Sequence, residues 1–154
     1  MEVFRLAREK YKDVLSGKGA AIKGARWNSA GVEIIYTAAN KSLAMAEVAV
    51  SLSMKTLPAD FYMLTIYVPD ATSVLKLNTT DLPVDWNKFP HPLSTKKIGD
   101  DFIKQGKFCL LQIPSVVTPG DYNFLINPNH PEFSLIKIIA EYPFGFDNRL
   151  FPLV

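Results

Sequence analysis

The chain has 154 residues, of which 48% are hydrophobic and 21% charged, with a formal net charge of +2. This length and balance suit one soluble globular domain with a full core and exclude a low-complexity or disordered chain. A near-neutral charge without a basic run gives no electrostatic case for direct nucleic-acid binding, and no run of about 18 apolar residues offers a membrane-spanning helix.

The first twelve residues, MEVFRLAREKYK, lack the apolar stretch of a signal peptide, so a cytoplasmic location is expected. Val3–Ala7 reads as a first strand with Arg5 inside it. Lys10 to Gly24 holds Gly17, Gly19 and Gly24 and reads as a loop. Val32–Ala38, VEIIYTA, is rich in β-branched and aromatic residues and reads as a strand that delivers Tyr36 near its end. Ala39-Asn40-Lys41-Ser42 carries helix-start chemistry, and Leu43–Met54 follows as a helix with Pro58 beyond it. Phe61–Val68, FYMLTIYV, is apolar on both faces and is expected at the centre of a sheet.

Ser73–Leu77 reads as a further strand, and Asn78 to Thr95, rich in Pro, Asn, Asp and Thr, as irregular chain. Lys96–Lys104 reads as a short helix ending near Gly106. Phe108–Ile113 is a strand stopped by Pro114, and Val116 to Asn129 is punctuated by the turn signals Pro119-Gly120 and Asn127-Pro128. Leu135–Tyr142 reads as the last strand, and the apolar tail PFGFDNRLFPLV as irregular chain packed across the sheet. Strands outnumber helices and strict β-α alternation is missing, which predicts an α+β fold in a single domain with a mixed sheet and few helices.

Cys109 is the single cysteine, so no internal disulfide is available; in the run FCLLQI it reads as a buried small hydrophobe. His91 and His130 each sit beside a proline, and no metal-ligand spacing appears. No phosphate-cradling glycine motif of the Rossmann or P-loop type is present. Glu47 is the one ionisable residue between Lys41 and Lys55, inside an otherwise apolar helix. A carboxylate there either points to water or is held by a use or a partner.

A set of ordered blocks extends these observations: SGKGAAIKGARWNSAG, IIYTA, SLAMAE, STKKIGDDF, LQIPSVVTPGDYNFLINPNHPEF and FGFDNRLF. In content, order and spacing they resemble the RES domain, named for its arginine, glutamate and serine, and the resemblance spans nearly all of 1–154. It implies a fold like that of ADP-ribosyltransferases. It also implies the role of toxin in a toxin–antitoxin pair with an Xre-like antitoxin. The implied activity breaks the bond between nicotinamide and ribose in NAD, which is a substrate and not a resident cofactor. The residues that match the family's key positions are Arg26 in GARWN, Tyr36 in IIYTA, Glu47 in LAMAE and Ser115 in IPSVV.

Under this resemblance Glu47 stabilises the cationic ribose as the bond breaks. Arg26 offers a guanidinium fork to the diphosphate or a ribose oxygen. Tyr36 lies against the nicotinamide or donates its hydroxyl, and Ser115 orients Glu47 or binds ribose. Arg5 is a further phosphate ligand, and Asn28 belongs to the same cofactor-type site, shaping its loop with Trp27. Asn123 and Asn127 are expected to satisfy backbone groups after Ser115.

Two departures from the family pattern stand out. Ala25 replaces the second of two glycines, which would strain the loop if that position needs a positive φ, and Asp121 stands where many relatives carry glutamate. The acceptor of the ribosyl group stays open between water, inorganic phosphate and a protein side chain. Met45 lies two positions before Glu47, where side-chain transferases often carry an acid, and disfavours the last. A non-catalytic module that binds only its antitoxin is the reading from another class. Self-association or a hetero-oligomeric complex with the antitoxin is left open as well.

Overall fold

The computed structural model describes residues 1–52 and 57–151. Among them a seven-stranded mixed sheet carries three α-helices, which is the α+β architecture expected. The strands are β1 (Glu2–Arg8), β2 (Ile35–Ala38), β3 (Phe61–Tyr67), β4 (Val74–Lys76), β5 (Leu110–Pro114), β6 (Tyr122–Ile126) and β7 (Lys137–Phe144). Their order is β4-β5-β6-β2-β1-β3-β7; β4 and β5 are parallel and the other neighbours antiparallel. The helices are α1 (Lys18–Lys23), α2 (Lys41–Ala49) and α3 (Leu93–Gln105).

Strand alternation explains the core. One face of the sheet buries Val3, Ala7, Ile35, Leu64, Ile66, Leu110 and Ile126 together. The opposite face is split. Its β1–β3 half packs Leu6, Ala38, Phe61 and Met63 against Leu43 and Ala44 of α2. Its β5–β6 half packs Leu111, Ile113 and Leu125 against Trp27, Ile34 and Phe102 of α3. Each fully buried aliphatic side chain contributes about 1.5–3 kcal/mol, so both halves are firmly seated. At the split, β1 and β2 share a single registered pair, Phe4 with Ala38, and the sheet opens beside it.

Several boundaries differ from expectation. The stretch read as loop over 10–24 contains α1, a six-residue helix closed by Gly24. Strand β2 begins at Ile35, not Val32. Helix α2 ends at Ala49; of the expected Leu43–Met54 span, residues 53 and 54 lie outside the described residues. Asn40 caps α2 as expected, its Oδ1 accepting from the Leu43 N–H at 2.8 Å. Strand β3 is buried on both faces and flanked by β1 and β7, but β2 takes the middle of the sheet.

Helix α3 starts at Leu93, inside the stretch read as irregular, and ends on left-handed Gly106 (φ 62°). Strand β5 runs through Pro114 and does not stop before it. Strand β6 lies between the two turn signals of 116–129, where the sequence pattern predicts no strand. Strand β7 takes the first two residues of the tail read as irregular, residues 152–154 lie outside the described residues, and in between Phe146 meets Phe61, Phe144 and Phe151 edge to face at 5.2–5.6 Å.

Candidate active site

Where β1 and β2 part, the split face holds a cavity of about 710 Å³, a size usual for small-molecule sites. Its wall is mostly apolar and includes Phe4, Leu6, Ala44 and Val48. Among its polar members are Arg26, Tyr36, Glu47, His91 and Asn123. Among the described residues Glu47 is the one carboxylate in that wall.

Helix α2 presents Glu47 to the cavity from a half-buried position. Its Oε1 accepts two hydrogen bonds, from Ser115 Oγ at 2.8 Å and from Asn123 Nδ2 at 2.6 Å. Ser115 is 2% exposed and stands behind Glu47, outside the cavity wall. Its hydroxyl oxygen accepts the N–H groups of Val117 (3.1 Å) and Thr118 (3.0 Å). Those donors occupy the lone pairs and direct the hydroxyl proton at Glu47, which makes Ser115 a positioning residue here. The expectation that Asn123 serves backbone groups is corrected: its side chain holds Glu47, because β6 carries it to the cavity face.

Arg26 lies on the loop between α1 and β2. Gly24 permits that loop: its φ is +75°, and a Cβ there would lie 2.7 Å from the Asn28 carbonyl oxygen. No non-glycine residue among the described residues has a positive φ, so Ala25 occupies ordinary backbone and the strain considered for it does not arise. Arg26 Nη1 donates to the carbonyls of Trp86 (2.9 Å) and Lys88 (2.7 Å). Burial holds the guanidinium below its ordinary pKa, partly offset by the charge of Glu47. Arg26 and Glu47 thus sense one another across the cavity without a direct ion pair among the described residues.

Tyr36 reaches the same wall from β2. Its hydroxyl donates to Asn28 Oδ1 at 2.7 Å and accepts the Trp27 N–H at 3.1 Å. Burial pushes the phenol well above its ordinary pKa, so it stays neutral and can donate. Asn28 is fully buried and does not line the cavity; its Nδ2 donates to the carbonyls of Ala20, Ser29 and Val32. It fixes the loop from behind, as Trp27 does from the core, and its expected contact with a ligand has no surface to use. Arg5 borders the cavity from β1, but by strand alternation its side chain leaves on the face opposite Phe4 and Leu6. Its Nη1 donates to the Ser16 carbonyl at 3.3 Å.

The fold therefore brings Arg26, Tyr36 and Glu47 to one crevice, puts Ser115 and Asn28 behind its wall and leaves Arg5 at its edge. Two further wall residues, Phe89 and His91, come from the stretch read as irregular chain. Nothing local in the sequence marks them; the bonds from Arg26 to the Trp86 and Lys88 carbonyls tie their loop to the site.

One cluster of metal-ligand atom types lies elsewhere: Cys109, His130 and Glu132, within 4.8 Å of one another. Two of the three groups are already engaged. His130 Nδ1 accepts the Glu132 N–H, and Glu132 takes both the N–H and hydroxyl of Ser73. The Cys109 thiol is pushed up to about 12 by burial. Among the described residues no helix is long and apolar enough to cross a membrane.

Comparison with known proteins agrees with the ordered blocks. Residues 2–147 match the family described as RES domain. The chain is 37% identical over 146 residues to the Prs ADP-ribosylating toxin of Sphingobium sp. (strain YBL2), covering 94% of this chain and 91% of that protein. It is 34% identical over 153 residues to Toxin Res of Photorhabdus laumondii, covering 97% of each. Toxin Res of Yersinia enterocolitica is 31% identical over 152 residues, with 97% of this chain and 99% of that protein covered. Among solved structures, a chain from the M. tuberculosis MbcT–MbcA toxin–antitoxin complex superposes with a TM-score of 0.74. It has 22% identity, with 93% of this chain and 83% of that chain covered, a likeness of fold.

Proposed function

The chain belongs to the RES domain family, and on that premise we propose that it is the toxin of a toxin–antitoxin pair that consumes NAD by cleaving the nicotinamide–ribose bond. The observation that carries this reading is the Glu47 carboxylate, held by Ser115 and Asn123 in the wall of a mostly apolar cavity that Arg26 also lines. Breaking the bond builds positive charge on the ribose carbon, as in glycoside hydrolysis. Nicotinamide enters as a cation and leaves neutral with the bonding electron pair, so a general acid is not required. The demand on the site is a preorganised negative charge near that carbon, and a carboxylate fixed by two donors in a low-dielectric wall meets it.

Arg26 supplies the matching cation for the diphosphate through Nε and Nη2, which have no partner among the described residues. Tyr36, neutral and locked by Trp27 and Asn28, forms a flat rigid wall for the leaving base. The acceptor is water or inorganic phosphate. Transfer to a protein side chain is the second reading, favoured by the name of the Sphingobium relative; Met45, two residues before Glu47, weighs against it. A purely antitoxin-binding module would need no carboxylate so placed. The partner under this reading is an Xre-like antitoxin, and the setting is the cytoplasm, where NAD is available.

Purified protein incubated with NAD is expected to release nicotinamide, and Glu47→Gln to abolish release while keeping the wild-type fold. Mass spectrometry of the ribosyl product separates free ADP-ribose, its phosphate ester and a modified protein. Intact NAD after incubation with folded wild type, with and without phosphate, would defeat the proposal.

A further inference from the structure

His91 is a wall residue to which the proposed bond cleavage gives no role. It stands on the loop before α3, and that loop is tied to the site because Arg26 Nη1 donates to the carbonyls of Trp86 and Lys88. The ring of Phe89 meets the imidazole edge to face at 5.3 Å. The Nδ1 atom of His91 is buried with no hydrogen-bond partner among the described residues. That leaves Nε2 as the ring nitrogen able to meet a ligand. The charged groups around the ring are Arg26 from the 24–28 loop and Lys96 from α3, both cations. Asp85, on the ring's own loop, is engaged by the Ser94 hydroxyl at 2.7 Å. Among the described residues Glu47 is the one carboxylate in the cavity wall, and Ser115 and Asn123 already hold it. This end of the cavity therefore holds an excess of positive charge, and an imidazole that becomes cationic there needs an anion from outside the chain.

We infer that His91 is a second ligand, beside Arg26, for the diphosphate of the bound dinucleotide, with Nε2 meeting the anion, and that the ring takes up a proton as that anion arrives. The inference rests on the dinucleotide reading of this cavity and assigns one end of it. In the free protein, burial and the charges of Arg26 and Lys96 hold the imidazole below its ordinary value and keep it neutral at neutral pH. An arriving diphosphate offsets both cations and adds negative charge, so the bound imidazole holds its proton more tightly. Linkage gives the sign. The gain in affinity is complete below the free-protein value and disappears as pH rises through the bound one. The diphosphate diester has no group of its own that titrates near neutral pH, so any proton uptake belongs to the protein.

The chain has two histidines, which makes the test direct. Proton NMR follows both imidazole signals through a pH titration, without ligand and with saturating ADP-ribose, and His91→Gln assigns them. The His91 signal is expected to titrate below the ordinary value of about 6.5 when free and at least about one pH unit higher when ADP-ribose is bound. The His130 signal should stay in place. If the free and bound midpoints lie one pH unit apart, ADP-ribose should bind wild type about tenfold more tightly below both of them than above both, and His91→Gln should flatten the dependence. Binding of ADP-ribose with the His91 signal unmoved would overturn this inference and leave the dinucleotide reading standing. A His91 signal that responds to nicotinamide and not to ADP-ribose would overturn it too. Failure of ADP-ribose to bind wild type at any pH would remove both.

Discussion

Gly99 of α3 lies so close to the Trp27 carbonyl that a Cβ at position 99 would sit 1.6 Å from that oxygen. A glycine inside a helix costs about 1 kcal/mol relative to alanine, so its place is explained by this approach of helix to loop. The clasp is repeated one residue on, where Asp100 accepts from the Ser29 N–H at 2.9 Å and its hydroxyl at 2.6 Å. Helix α3 thereby sets the loop that carries Arg26. Gly99→Ala must push the two apart. Overpacking of this kind costs about 1–3 kcal/mol, a fall in Tm of several degrees for a chain of this size. Nicotinamide release should fall further than stability alone accounts for, because Arg26 moves with the loop. A thermal melt and activity that match wild type would show that the loop is positioned by something else.

Asn123 tests how Glu47 is held. Hydrogen bonds to a charged group contribute about 1.5–3 kcal/mol, so Asn123→Ala should lower kcat about ten- to a hundredfold. Its β6 backbone pairs with β2 and β5 independently of the side chain, and the fold should persist. Asn123→Asp should be worse, since a second carboxylate at 2.6 Å from Glu47 Oε1 opposes ionisation of the pair and moves the acid limb of the kcat profile upward. Equal losses in the two variants, with unchanged pH profiles, would argue that Asn123 only fills space. Ser115→Ala is the less clean experiment, because it also strands the N–H groups of Val117 and Thr118.

How far the sequence reveals this arrangement depends on how local each signal is. Strand β3 and the Asn40 cap of α2 are written in neighbouring residues and are legible directly. Strand β6, YNFLI, is short and bounded by Pro119-Gly120 and Asn127-Pro128, so its flanks mask it, although those turns are what end the strand. Helix α1, KGAAIK, has six residues and no apolar stripe to betray it. Glu47 stands out by isolation in an apolar helix, but its partners Ser115 and Asn123 come from 68 and 76 residues away, set by the sheet and no local pattern. Asn28 belongs to the expected loop but faces away from the cavity. A polar residue two positions from a wall residue can as easily cap backbone carbonyls as face a ligand.

Tyr36 gives a prediction in pH. Burial raises its phenol above the ordinary value of about 10, so the folded chain keeps a proton that the unfolded chain releases. The stability this contributes is fully present below about pH 10 and is lost as pH rises toward the raised folded value. Urea unfolding of wild type and Tyr36→Phe at a series of alkaline pH values isolates the effect, since the other tyrosines are common to both. At neutral pH the variant should be weaker by about 1–3 kcal/mol, because the Trp27 N–H and Asn28 Oδ1 lose their partner. The gap should narrow above pH 10. A gap that stays constant into the alkaline range would mean that the phenol is not sealed as the structure has it.

Arg26 separates shape from charge. One of its nitrogens, Nη1, is spent on the Trp86 and Lys88 carbonyls and anchors the loop that carries Phe89 and His91. Its remaining donors are left for a ligand. A lysine keeps the charge as a point on a flexible stem, and its ammonium can serve the carbonyls or the cavity but not both. Arg26→Lys should therefore retain the fold and lose about ten- to a hundredfold in kcat/KM, the scale of a charged hydrogen bond. Arg26→Ala should lose at least as much and should also free the loop, seen as faster proteolytic cleavage between residues 84 and 92. If lysine supported full activity, the guanidinium would be acting as bulk charge alone, and the division of labour between its nitrogens would be wrong. If alanine left the loop as protected as in wild type, the carbonyl anchors would not be what holds His91 against the cavity.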